Sequence, residues 1–316
     1  MTGLSGHDEP WRAWQAAMAS GRMHHGWILA GPQGIGKATF ARAAAAALVA
    51  EPGVPQPAPE MHPDILIPEH PPATKEDEKR REAGEAYARK RSIPIDEIRA
   101  MQHRLNTRPT LGARRAVIID PADDMETAAV NALLKSLEEP PQGTFFLLVA
   151  HRPGRLLPTI RSRCRILRFA ALPDAEVARI LAASAPQIDA GTRGAAVAAA
   201  GGSPGVALDF VEEDLGKVHA IMTQLLAGGG NPVALTAALV GEVGARPARA
   251  RQAAVLELAR AELAVALRPA GRDRQAVIIA AHEAISRLAN EAPLYNYDPS
   301  LLAGQLGHLL AGVGAA

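Results

Sequence analysis

GPQGIGKATF, residues 31–40, decides the fold. It follows a short apolar run, Gly26-Trp27-Ile28-Leu29-Ala30, and opens an Ala-rich stretch that reaches Ala50. Strand, glycine-rich loop, lysine and helix in that order make a phosphate-binding loop, G-x-x-x-x-G-K-[ST]. Its glycines let backbone N–H groups turn toward phosphate oxygens, and the following helix presents its positive dipole end to them. Gly31, Gly36 and Lys37 are in frame, and Gly34 adds a third loop glycine. The residue after the lysine is Ala38, which has no hydroxyl for Mg²⁺. Thr39 is no simple substitute, because one further residue of helix points about 100° away. A Gly-rich turn joining a strand to a helix is the plainer alternative.

A second element stands at AVIIDPADDM, residues 116–125. An apolar strand ending in Asp120 would bring that acid to the sheet edge beside the loop. The next residue is Pro121, where an acid would be needed to polarise an attacking water. Gly31, Gly34, Gly36, Lys37, Thr39 and Asp120 are therefore the candidates for a degenerate nucleotide site.

Apolar runs at 26–30, 64–69, 114–120 and 145–150, with CRILRF at 164–169, alternate with helical patterns at 37–50, 95–105 and 128–139. Strands apolar along their whole length, alternating with helices, imply a parallel sheet covered on both faces. Residues 71–91 are highly charged with few large apolar side chains, and read as an exposed excursion, partly helical or disordered. After residue 170 the pattern is helical, with loops at 228–230, 268–271 and 292–299. Asp298-Pro299 reads as an N-cap followed by a first-turn proline.

At 316 residues the chain suggests two or three domains. A net charge of +1 gives no strong whole-chain attraction to DNA or acidic membranes. The single cysteine, Cys164, excludes an internal disulfide and favours a cytoplasmic setting. Cys164 reads as a small packed residue, since no partner base is evident. Residues 1–11 lack the basic and apolar regions of a signal peptide, and no apolar run approaches the ~20 residues that span a bilayer.

NALLKSLEEPP (131–141), FFLLVA (145–150) and TIRSRCRILRF (159–169), with HPDI (62–65) and IPIDEIR (93–99), resemble the clamp-loader branch of the AAA+ ATPases. The likeness covers most of residues 20–210 and, weakly, the helical tail. It implies an AAA+ α/β P-loop domain with a parallel sheet (1–169), a small helical lid domain (170–213) and an all-helical C-terminal collar domain (214–316). It further implies that Arg163, in the triplet Ser162-Arg163-Cys164, is a finger that enters the nucleotide site of a neighbouring subunit. A guanidinium suits that task because it offers several donors and a permanent charge. The plainer alternative makes Arg161, Arg163 and Arg165 surface charges after a short helix.

Against the family pattern, Val149-Ala150-His151 stands where a sensor Thr or Asn is usual, and Gly205 where a second sensor arginine is usual. With Ala38 and Pro121, four catalytic positions are altered while the outgoing arginine remains. The resemblance therefore implies a non-hydrolysing, stator-like subunit of the bacterial DNA polymerase III clamp loader, with ATP or ADP bound weakly if at all. Its partners would be gamma/tau-type ATPases, a delta-type subunit, the sliding clamp and primed DNA, with no membrane. The apolar helices at 254–267 and 276–289 would mediate assembly. Many bacterial relatives carry a four-cysteine zinc module after the P-loop helix; residues 51–61 have no cysteine, and His62 alone cannot make the four-ligand site zinc needs, so no zinc is expected. An ATP-hydrolysing motor subunit would need Ser or Thr after Lys37 and an acid at 121. A P-loop kinase would leave the Ser162-Arg163-Cys164 triplet and the helical tail without a reason.

Overall fold

A computed structural model of the chain describes residues 6–295 and 297–316. The chain divides into two compact units, Met1–Ala170 and Ala171–Ala316. In the first, five parallel strands lie in the order β2-β3-β4-β1-β5: β1 Gly26–Ala30, β2 Ile65–Leu66, β3 Arg115–Ile119, β4 Thr144–Ala150 and β5 Arg165–Arg168. The three central strands are almost wholly buried, as strands covered on both faces must be. On one face Ile28, Val117, Ile119, Phe146 and Leu148 meet Ile98, Met101 and Leu105 of α4 (Ile95–Leu105) and Leu133 and Leu137 of α5 (Thr127–Glu138). Helix α2 (Lys37–Val49) buries Ala41, Ala44, Ala45 and Leu48, and it packs against β1, β2, β3 and β4. Alanines on this stripe let the helix come close to the strands.

Residues 64–69 contribute only two residues of strand. The acid that precedes them explains the short ladder. Asp64 is buried, and its carboxylate accepts from the backbone N–H groups of Thr110 (2.6 Å) and Leu111 (2.7 Å). Arg115, also buried, lies 3.6 Å from Asp64 and donates to the carbonyls of Arg104, Thr107 and Arg108. The pair folds the segment before β3 around itself. The charged excursion at 71–91 contains a regular helix, α3 (Lys75–Glu82), with a capping box between Thr74 and Asp77. Asp77 also accepts from the Ala88 N–H at 2.9 Å, which turns the chain back.

One helix was not expected from the sequence: α1 (Asp8–Ala19). Trp14 is fully buried, edge-on to Trp27 of β1 at 5.3 Å and to Phe40 of α2 at 6.5 Å. Trp11 meets Phe40 at 5.6 Å, and Phe40 meets Phe169 at 4.9 Å. All three tryptophans of an aromatic-poor chain thus gather on one side of the sheet.

The second unit is helical: α7 (Asp174–Ser184), α8 (Ala190–Ala199), α9 (Pro204–Glu212), α10 (Gly216–Leu226), α11 (Pro232–Val243), α12 (Arg249–Leu267), α13 (Arg272–Tyr295) and α14 (Pro299–Gly314). Ser203 caps α9 and Asp298 caps α14, each accepting from backbone N–H groups of the first turn. Helix α13 runs through most of the loop expected at 292–299, and Asn296 lies outside the described residues. Arg251 donates to the carbonyls of Glu213 and Glu242, tying the ends of α9 and α11 to α12. At Gly307 of α14 a Cβ would lie 2.7 Å from Thr236 Cγ2, so α11 and α14 touch through a glycine. Among the described residues no helix is long and apolar enough to cross a membrane.

The aromatic group makes a prediction. Trp14→Ala should cost about 3–5 kcal/mol, the range for emptying a buried indole site. Trp11→Ala, at a partly exposed position, should cost clearly less. Denaturant titration of both variants checks this, and equal losses would mean that α1 is not anchored through Trp14.

Candidate functional site

The strand β1 has a candidate functional feature at each end. At its C-terminal end the loop carries positive φ at Gly34 (72°) and at Gly36 (101°), the residue that caps α2. Only glycine adopts these angles without strain. Gly31 is required for another reason: a Cβ there would lie 2.5 Å from the carbonyl oxygen of Phe169, the residue after β5. Lys37 is buried, and its ammonium donates to the carbonyls of Gly31 (2.7 Å) and Pro32 (2.5 Å). The lysine thus closes the loop onto itself. Ala38 is half-buried and Thr39 is exposed, so the Thr39 hydroxyl does not join Lys37.

Asp120 follows the last residue of β3, as expected for an acid at the sheet edge, but it faces Arg42 of α2 at 3.9 Å. Arg42 also meets Glu60 at 3.1 Å. Burial raises the Asp120 carboxyl above its ordinary range, while Arg42, Lys37 and His70 pull it back. At the end of β4 the backbone N–H of His151 donates to Asp123 at 2.5 Å. This strand end is therefore held by an acid from the segment after Asp120. Gly205 lies in the first turn of α9, in the second unit.

Sequence reasoning missed two residues here. Arg42 is the only charged residue between Lys37 and Glu51, an available signal. His7 gave none. It is buried, donates through Nε2 to the Ile35 carbonyl at 2.6 Å and stands edge-on to Phe169. A Cβ on Gly36 would lie 3.3 Å from that nitrogen, so His7 lies against the loop.

At the N-terminal end of β1 lies the triplet. The short helix α6 (Pro158–Arg161) ends at Ser162, and Arg163 follows. Its guanidinium meets Glu138, the last residue of α5, at 2.6 Å, and donates to the Thr159 carbonyl at 3.0 Å. Cys164 starts the approach to β5. A Cβ on Gly26 would lie 2.8 Å from Cys164 Sγ and 3.0 Å from the Arg163 carbonyl oxygen. Only glycine at 26 and a small side chain at 164 let the strands meet. Five residues of strand separate this end from the phosphate loop by about 16 Å, and the Arg163 side chain is turned to Glu138.

His62 is buried in a local network: Nδ1 accepts from the Asp64 N–H at 3.0 Å, and Nε2 bonds to Gln56 at 2.8 Å. Among the described residues no group of three or more His, Cys, Asp or Glu could hold a metal ion.

A family model for the DNA polymerase III delta subunit matches residues 6–173, more than half of the chain. The chain belongs to that family. The DNA polymerase III subunit delta' of Pseudomonas aeruginosa is 34% identical over 209 residues, covering 62% of this chain and 58% of that protein. The subunit delta' of Escherichia coli is 36% identical over 138 residues, covering 44% of this chain and 41% of that protein. The chain thus spans about half the length of these relatives. The subunit gamma/tau of Mycobacterium tuberculosis is 29% identical over 202 residues, 62% of this chain and 34% of that protein. The motifs and the relatives agree on the delta-prime side of the family.

Burial pushes the Cys164 thiol up to about 12. At pH 8 only about one thiol in ten thousand would then be ionised, and the thiolate is the reactive form. Native protein should therefore react with a disulfide reagent at least a hundredfold more slowly than protein unfolded in denaturant. Equal rates would show that the β1–β5 junction does not seal the thiol.

Proposed function

We propose that the chain is a clamp-loader subunit that does not hydrolyse ATP and lends Arg163 to nucleotide held by a neighbouring gamma/tau-type subunit. The observation that carries this reading is the placement of Arg163 at the end of β1 opposite its own phosphate loop. Any phosphate it meets belongs to another molecule. A planar guanidinium can donate to two oxygens of such a group as its charge redistributes. Fingers in other phosphoryl-transfer systems contribute roughly 10³–10⁵ in rate.

The chain's own nucleotide corner fits hydrolysis poorly. Ala38 offers no metal ligand, Asp120 faces an arginine, and Pro121 supplies no acid. The turned glycines at 34 and 36 keep the shape of an anion cradle, which supports weak ATP or ADP binding at most. Gly31, Gly34, Gly36 and Lys37 would form that cradle; the exposed Thr39 would stand outside it. No catalytic step is assigned to this corner, and no zinc. In this reading residues 170–213 form a lid and residues 214–316 a collar. The partners are gamma/tau-type and delta-type subunits, and through them the sliding clamp and primed DNA, in the cytoplasm.

Purified alone, the protein should hydrolyse no ATP above background. A turnover of ~1 s⁻¹ or more that Lys37→Ala abolishes would overturn the reading. In a loader reconstituted with its partner ATPases, Arg163→Ala should reduce hydrolysis at one interface while the variant still assembles. Its stability should fall by no more than ~1 kcal/mol, the upper range for an exposed ion pair. Arg163→Lys should restore little, because an ammonium lacks the fork. Wild-type hydrolysis by the Arg163→Ala loader would remove the finger.

Calorimetric titration of the isolated protein with ADP and ATP tests the cradle. Heats consistent with a dissociation constant in the high micromolar to millimolar range are expected, with little dependence on Mg²⁺. Tight binding that requires Mg²⁺ would mean that Asp120 takes a metal after all.

A further inference from the structure

Glu138 is the first acid of the EEPP stretch and the last residue of α5. A helix C-terminus carries partial negative charge, so a carboxylate there is unfavourably placed without a cation beside it. Arg163 is that cation, at 2.6 Å. The same guanidinium reaches the Thr159 carbonyl at 3.0 Å, so its fork is engaged on two sides within its own chain.

The carboxylate is rigidly mounted. His25, the residue before β1, bonds through Nε2 to the Leu137 carbonyl at 2.9 Å, which ties the last turn of α5 to the start of β1. The Glu139 N–H donates to the Lys135 carbonyl at 3.1 Å, and Pro140-Pro141 prevents the helix from continuing. Both members of the pair stay partly open to solvent, Arg163 at 35% and Glu138 at 49% exposure. An open pair of this kind is weak and exchangeable.

We propose that Glu138 is a latch: it holds Arg163 within its own subunit and yields it to a more strongly charged phosphate group in the adjoining subunit. The inference rests on the finger reading above. A single half-exposed carboxylate competes poorly with a triphosphate, which offers several anionic oxygens to the same fork. The arginine is retained while the neighbouring site holds no triphosphate, and it transfers when one is presented at the right distance. Release costs little because the pair is solvated, and His25 keeps Glu138 in place for the arginine's return. Glu138 is thus a positioning residue, with no contact to the reacting atoms.

The test uses the full chain assembled with its partner ATPase subunits. Steady-state ATP hydrolysis is measured for wild type, Glu138→Gln, Arg163→Ala and the double variant, first without clamp and DNA and then with both. Glu138→Gln should raise the rate without clamp and DNA by about two- to five-fold, within what an exposed ion pair can control. It should leave the stimulated rate undiminished. The double variant should fall to the level of Arg163→Ala, because a latch without its arginine controls nothing. Glu138→Ala should repeat the result if the glutamine variant assembles poorly. If Arg163→Ala lowers hydrolysis while both Glu138 variants leave the unstimulated rate at or below wild type, the latch is wrong and the finger stands. If Arg163→Ala changes neither rate, the finger reading fails and the latch falls with it.

Discussion

The close pairing of β1 with β5 governs everything in the first unit that bears on function. Two glycines bracket it. At Gly26 a side chain would meet Cys164 Sγ and the Arg163 carbonyl, and at Gly31 it would meet the Phe169 carbonyl. Between them Trp27 to Ala30 pair in register with Arg165 to Arg168. This register puts the phosphate loop at one end of a five-residue strand and the Ser162-Arg163-Cys164 triplet at the other. A larger residue at either glycine would have to shift strand backbone, because the facing atoms include main-chain oxygens. The separation of the two features is therefore a property of the sheet.

The corner between the phosphate loop and Asp120 departs from an active P-loop site in a mutually consistent way. An active site would take a divalent ion near Asp120 to balance carboxylate and phosphate charge. Here Arg42 and Lys37 already bring positive charge to that carboxylate, which burial has made harder to ionise. Lys37 is drawn onto carbonyls of its own loop. With no hydroxyl at 38, nothing in the corner favours a metal over the resident arginine. The shape of the loop depends on glycine geometry at 34 and 36, so it does not need that chemistry.

Much of this is legible in the sequence alone. Whole-strand apolarity marked β1, β3 and β4, because strands covered on both faces have no polar side to show. The i, i+3, i+4 spacing of Ile98, Met101 and Leu105 marked α4, and Pro140-Pro141 marked the end of α5. Helix α1 is equally readable, since Trp11, Trp14 and Met18 share one helical face. β2 was overestimated because an apolar run does not reveal that the acid before it is committed to the 110–111 backbone. Arg42 could have been noticed as an isolated charge among alanines. The hold of Glu138 on Arg163 could not, because the two lie on different elements and no periodicity links them.

Two arginine–carboxylate pairs in this unit show why exposure and partner count separate structure from exchange. Arg115 and Asp64 are 4% and 1% exposed. The arginine serves three carbonyls, and the acid takes two backbone N–H groups. Moving either group would strand a charge and several backbone polar groups away from water, a large penalty. That pair can only be structural, which is why the acid of HPDI is no candidate for chemistry despite its place in a motif. Arg163 has one carboxylate, one carbonyl, a long contact to the Ser162 hydroxyl at 3.5 Å and open solvent. Both side chains are partly open to solvent, so water can replace the contacts this pair makes. The buried pair, at 3.6 Å, is thus far more tightly committed than the exposed one, at 2.6 Å, and the difference lies in what surrounds them.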